Sequence, residues 1–211
     1  MGHRKLLKRF HEPGHLHEFT FSSYQRRRLL LQDPWRKLLA GSLTSACREE
    51  QVDLVAFVFM PEHVHLLVNP RKEKPKLGRF LARVKQPFSS QIREQVELVN
   101  PTLLRELTVR ERPGKSCFRF WQEGAGYDRN IVTEKAMHAF IDSIHNNPCR
   151  RGLCERAIDW KWSSARSYLL DPPGQQFQDL PYVHGLRKRA LITPPSGTAP
   201  RGYPTSGTLL R

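Results

Sequence analysis

Phe57-Val58-Phe59-Met60-Pro61-Glu62-His63-Val64-His65-Leu66-Leu67-Val68 is the stretch on which the fold turns. Its first part belongs to a run, Leu54 to Met60, that is almost continuously apolar, as expected of a central strand covered on both faces. The Pro61-Glu62 corner returns the chain into a second strand, so the stretch reads as a hairpin. Pro61-Glu62 is not the preferred pair for a primed turn, and a slightly longer or bulged connection is expected. Side chains alternate along a strand, so His63 and His65 leave one face while Val64, Leu66 and Val68 leave the other. At about 3.3 Å per residue the two imidazoles start roughly 6.6 Å apart, close enough to converge on one divalent ion at about 2 Å. An arbitrary His-x-His is more often a strand with two half-exposed polar residues, so its surroundings must decide.

Upstream, His17-Glu18-Phe19-Thr20-Phe21-Ser22 alternates polar and apolar residues and reads as a first strand. Asp33 reads as a cap and Pro34 as a first helical residue, after which Trp35, Leu38, Leu39, Leu43 and Ala46 recur at helical spacing. Downstream, Leu77, Phe80, Leu81, Val84, Phe88, Ile92 and Val96 make a helical stripe over 77–99, with Arg79, Arg83, Lys85 and Arg93 between them. Pro87 should kink or split this helix. Polar and breaker residues over 100–115 predict a loop or mobile excursion. Phe118 to Ile131 reads as a strand with a bend or hairpin at Gly124 and Gly126. Thr133 caps a further helix, with Met137, Phe140, Ile141 and Ile144 on its apolar face, and Pro148 ends it at Asn147.

Strand, helix, strand, strand, helix, strand is the order of the α+β, ferredoxin-like (split βαβ) plan, an antiparallel sheet with helices on one face. Val64, Leu66 and Val68 would lie under those helices and the histidines on the opposite face. We divide the chain into a basic leader (1–14), one domain (15–170) and a basic Pro/Gly-rich tail (171–211) that reads as disordered.

Thirty-five Lys and Arg against 20 Asp and Glu give a net charge of +15, more than solubility asks for, and an anionic partner is implied, nucleic acid first. No apolar run reaches the roughly 20 residues of a membrane span. The basic start lacks the apolar core of a secretory signal, so the reading is cytoplasmic, without a membrane partner. Cys47, Cys117, Cys149 and Cys154 form no C-x-x-C pair and suggest neither a zinc knuckle nor a disulfide framework.

Phe59 to Val68 resembles the HUH signature of the small single-strand DNA transposases, especially the REP-associated tyrosine transposases. Tyr127-Asp128-Arg129-Asn130, Ile144-His145-Asn146-Asn147-Pro148, Arg150-Arg151-Gly152-Leu153 and Asp159-Trp160-Lys161-Trp162-Ser163-Ser164 follow that family's order and spacing. The resemblance spans roughly residues 15 to 170. It implies a DNA-binding transposase acting on hairpin or single-stranded DNA by metal-assisted strand cleavage and rejoining through a phosphotyrosine link. It also implies a divalent metal, Mg²⁺ or Mn²⁺, on His63, His65 and either Asn147 or its neighbour His145, where the ion would neutralise charge on the scissile phosphate. Arg83, Lys85, Arg150 and Arg151 are the candidate DNA contacts. A homodimer is left open.

Two departures from the family stand out. Its nucleophilic tyrosine falls on Ser143, one helical turn before Asn147. A serine is shorter, and its alkoxide is a poorer leaving group than a phenolate in the rejoining step. Either the chain binds DNA without cleaving it, or Tyr127 or Tyr168 supplies the nucleophile. Glu62 replaces the asparagine common before the first histidine and reads as facing solvent, with support of a metal ligand as the alternative. Trp160 and Trp162 suit either base stacking or burial. An RNA-binding module is a more distant alternative, one that lacks the aromatic signatures of RNA-binding sheets.

Overall fold

Hydrophobic burial on both faces of one sheet organises the chain. The computed structural model describes residues 15–124 and 126–184. Strand β1 (Leu16–Ser22) leads through a short 3₁₀ turn to helix α1 (Asp33–Glu50). The hairpin β2 (Val52–Phe59) and β3 (His63–Pro70) precedes helix α2 (Leu77–Val99). Helix α3 (Pro101–Leu107), a small hairpin β4 (Thr108–Arg112) and β5 (Lys115–Phe118), and strand β6 (Tyr127–Ile131) follow. Helices α4 (Glu134–His145), α5 (Asn147–Arg150) and α6 (Ala165–Leu169) complete it. The main sheet has the order β2-β3-β1-β6 with every pair antiparallel. That is the ferredoxin-like arrangement expected from the element order.

The alternation in β3 sorts residues as expected. Val64, Leu66 and Val68 join Phe19, Phe21, Phe57 and Phe59 under α1 and α2. On the opposite face Leu16, Val58, Leu67 and Ile131 pack against Met137, Phe140, Ile141 and Ile144 of α4. Helix α4 covers only part of that face, and the histidine end of β3 emerges beside its C-terminus. Three residues, 60–62, connect β2 and β3, the longer turn that Pro61-Glu62 predicted, and Met60 N donates to His63 O at 2.9 Å.

Several expectations need correction. Asp33 is the first residue of α1, not its cap; its carboxylate accepts the Trp162 indole N–H at 2.6 Å and also faces Arg36. Helix α2 is not split: it runs through the exposed Pro87, which forfeits one intrahelical hydrogen bond on the solvent side. The segment 100–115 is not a loop. Asn100 caps α3 by accepting from Leu103 N at 3.0 Å, and Gly114, with φ of 75°, turns the β4–β5 hairpin. The helix begun at Thr133, whose side chain accepts from Ala136 N at 3.2 Å, ends at His145, and Asn147 opens α5 instead of closing α4.

Residues 171–184, assigned above to a disordered tail, are packed. Val183 is buried, Leu180 packs against the core, and His184 N donates to Leu54 O at 2.8 Å. The remaining tail residues, 185–211, and the leader, 1–14, lie outside the described residues. No described helix is long and apolar enough to cross a membrane.

Candidate metal and phosphate site

Register places the candidate residues. Thr20 of β1 lies opposite His65 and Ser22 opposite His63, so all four share one sheet face. Tyr127 of β6 lies opposite Thr20 on its other side and belongs to the same row. The two imidazoles meet edge to face, ring centroids 4.7 Å apart. Asn147, delivered by the break between α4 and α5, brings its amide Nδ2 to 3.2 Å from His65 Nε2. His63, His65 and Asn147 line a cavity of about 290 Å³ with Thr20, Ser22, Arg26, Arg150 and Arg151. A larger cavity, about 680 Å³, lies between α1 and residues 176–182, but its charged groups Lys37 and Asp179 are paired with one another. Convergent chemistry, not volume, selects the smaller one.

Hydrogen bonds fix which nitrogen each imidazole turns to the cavity. His65 Nε2 accepts from Asn147, so its Nδ1–H donates to Thr20 Oγ1 at 2.7 Å. His63 Nδ1 lies 3.1 Å from Glu62 Oε1 and donates to that carboxylate, which leaves Nε2 as its lone-pair nitrogen. Burial, and then the charges of His63, Arg150 and Arg26, push His65 down to about 3. Burial also lowers His63, against the opposing pull of Glu62. Both rings are neutral at pH 7, the state a metal ligand requires.

Two imidazole nitrogens and one amide, which half a turn would present through Oδ1, suit a divalent cation with open positions. No carboxylate joins them, and among the described residues no group of three or more His, Cys, Asp or Glu is placed to hold a metal. Arg26, Arg150 and Arg151 make the rim cationic, a match for a phosphate. Arg26 and its neighbour Gln25 hold φ values of 54° and 52°. Such left-handed backbone in non-glycine residues costs of order 1 kcal/mol each and tends to collect at functional sites.

The other candidates divide. Ser143 is half-buried on α4 and does not line the cavity; the Arg150 guanidinium donates to its carbonyl at 2.7 Å and to its hydroxyl at 3.1 Å. His145 faces away from the cavity, where its Nε2 lies 2.8 Å from Ser164 Oγ, and burial lowers it to about 4. Tyr168 donates to Val55 O at 2.7 Å and is pushed by burial up to about 12. Tyr127 is 45% exposed and, like Ser143, is not among the residues that line the cavity. Arg83 lies on the other side of the sheet, pairing with Glu49 and Glu50 of α1, and Lys85 sits 4.5 Å over the Phe21 ring; neither is brought to the cavity.

Glu62 does not face solvent. It is 4% exposed and shares Oε1 between His63 and Arg151, the latter at 3.0 Å. The tryptophans serve structure: Trp162 is buried, Trp160 donates to Phe59 O at 3.1 Å, and the backbone of Trp162 to Ser164 pairs with the outer edge of β2. Thr20, Ser22 and Arg26 escaped the sequence reading. The alternation of β1 put the first two on one face, but only strand register could say which histidine each would meet.

Residues 14–106 match the family model described as "Transposase IS200 like". A putative REP-associated tyrosine transposase of Haemophilus influenzae is 24% identical over 153 residues, 72% of this chain and 80% of that protein. The solved structure of a REP-associated tyrosine transposase bound to a REP hairpin superposes with a TM-score of 0.58 at 19% identity, covering 84% of this chain and 98% of that one. Strand β3, with His63 and His65, falls inside the matched segment. The chain is thus similar to the IS200-like transposases over residues 14–106 and to a REP-associated tyrosine transposase over 72% of its length.

Proposed function

We propose that this cavity grips a phosphodiester of hairpin or single-stranded DNA beside a divalent cation, Mg²⁺ or Mn²⁺, and serves metal-assisted strand cleavage and rejoining of the HUH type. The observation that carries the reading is the pair of imidazoles whose Nδ1 atoms are taken by Thr20 and Glu62, so that both Nε2 atoms face one cationic cavity with Asn147. The ion, held by His63, His65 and Asn147, would supply charge neutralisation at a phosphoryl oxygen. Arg26, Arg150 and Arg151 bind the remaining oxygens and orient the strand. The solved REP-associated relative is described as bound to a REP hairpin, and this supports a hairpin as substrate. In this reading Tyr127, exposed and in the row of Thr20 and His65, supplies the phenol that position 143 lacks.

A second reading, a chain that binds DNA without cleaving it, is favoured by one observation: Arg150 occupies both polar atoms of Ser143, where the family's tyrosine would stand. A labelled DNA hairpin with a single-stranded flank, incubated with Mn²⁺ and the protein, tests both. We expect retention in a gel that weakens in Arg150→Ala and Arg151→Ala, each lowering the salt slope by about 0.7–0.9. A protein-linked strand that survives in Ser143→Ala and vanishes in Tyr127→Phe supports cleavage through Tyr127. Retention without product, with product appearing in Ser143→Tyr, establishes the second reading. If the wild type fails to retain the hairpin, both fall.

A further inference from the structure

A carboxylate in a tight turn between strands is ordinarily solvated, yet Glu62 is buried in one. Taking it out of water is unfavourable by several kcal/mol unless its oxygens are satisfied. Here a single oxygen, Oε1, receives both the His63 ring N–H and the Arg151 guanidinium. The residue is fixed from its main chain as well: Glu62 O accepts from Ser23 N and from Ser23 Oγ, both at 3.0 Å. Ser23 lies two residues before the left-handed pair Gln25 and Arg26, so the turn that carries Glu62 is tied to the segment that carries a cavity arginine.

We propose that Glu62 is a positioning residue that locks His63 in its Nδ1–H form, aims Nε2 into the cavity, and through the shared oxygen sets the place of Arg151 relative to that ring. His65 receives the same service from a neutral hydroxyl, Thr20. The two ligands are therefore held differently: His65 by a group that can donate or accept, His63 by one that only accepts. A charged acceptor also raises the electron density on Nε2, and partners of this kind are worth about 10- to 100-fold in metal affinity. The metal part of this proposal rests on the reading of the cavity given above, whereas the tautomer does not require any ion.

Nitrogen-15 NMR of the histidine side chains in the metal-free protein, followed by titration with Mn²⁺, separates the two. We expect His63 of the wild type to be Nδ1–H. Glu62→Gln preserves volume but offers an amide that can donate as well as accept, so His63 should become a mixture of tautomers while His65 is unchanged. The Mn²⁺ dissociation constant should rise about 10- to 100-fold in Glu62→Gln and recover in part in Glu62→Asp. An Nε2–H ring at His63 in the wild type overturns the proposal, as does a Glu62→Gln protein with wild-type tautomer and wild-type Mn²⁺ affinity. A wild type that shows the Nδ1–H ring but binds no Mn²⁺ upholds the positioning by Glu62 and overturns the cavity's reading as a metal site.

Discussion

The histidines make the fold sensitive to acid. Burial and neighbouring cations hold His65 at about 3, and burial holds His145 at about 4 despite the opposing charge of Asp142. In the unfolded chain both titrate near 6.5, so as pH falls the unfolded state takes up protons first. Their neutral burial carries no penalty above pH 6.5, and stability is then lost as pH drops towards 4, by up to about 1.4 kcal/mol per pH unit for each ring. Urea unfolding at pH 7 and pH 5 should show the midpoint falling, with a shallower fall in His145→Gln. An identical slope in that variant would remove His145 from the account. His63 and His65 were legible as a pair because strand periodicity alone puts them on one face. That His145 is a structural residue was not legible: the motif carries it next to Asn147, and only the packing of α4 against Ser164 decides between them.

At the scale of elements, the strand that completes the sheet depends on one glycine. Gly126 has a φ of 78°, and a Cβ there would lie 2.2 Å from Thr20 O, a backbone atom that cannot swing aside. Gly126→Ala must therefore either strain the turn into β6 or push that strand off β1, beside the residue that supports His65. We expect a loss of about 2 kcal/mol, or a melting temperature lower by about 4–8 °C; an unchanged melt would show that β6 yields without penalty. The sequence signalled a bend here, since glycines interrupt an aromatic-rich strand pattern, but not the close approach that requires it. Helices α1, α2 and α4 were legible from apolar spacing. Helix α3 and its hairpin were not, because 100–115 has little apolar periodicity and its structure comes from the Asn100 cap and from Leu103, Leu104 and Leu107 packing on the rest. Pro87 misled in the opposite direction: the buried stripe from Leu77 to Val96 outweighs one missing hydrogen bond on an exposed face.

For the molecule as a whole, the segment after α6 is part of the fold. Truncation after Leu170 removes Val183, 5% exposed, and Leu180 from the core and frees Leu54 O. Burial of one such aliphatic side chain is worth about 1.5–3 kcal/mol, so the urea midpoint should fall accordingly, and a midpoint equal to the full chain's would contradict the packing described here. Composition read this segment as disordered because Pro, Gly and Ser dominate it, and composition does not register two well-placed apolar anchors. By itself the sequence determined the sheet, its two main helices, the cationic character and the shared face of His63 and His65, since all of these follow from residue type and period along the chain. Tertiary structure alone decided that Asn147 meets His65, that Glu62 is buried against His63 and Arg151, that Arg83 is spent on α1, and that Ser143 is held by Arg150. Apart from the neighbouring pair Glu62 and His63, each of these is a contact between elements distant in the chain or across a break between helices, and its geometry is set by strand register and helix packing, which no local pattern encodes.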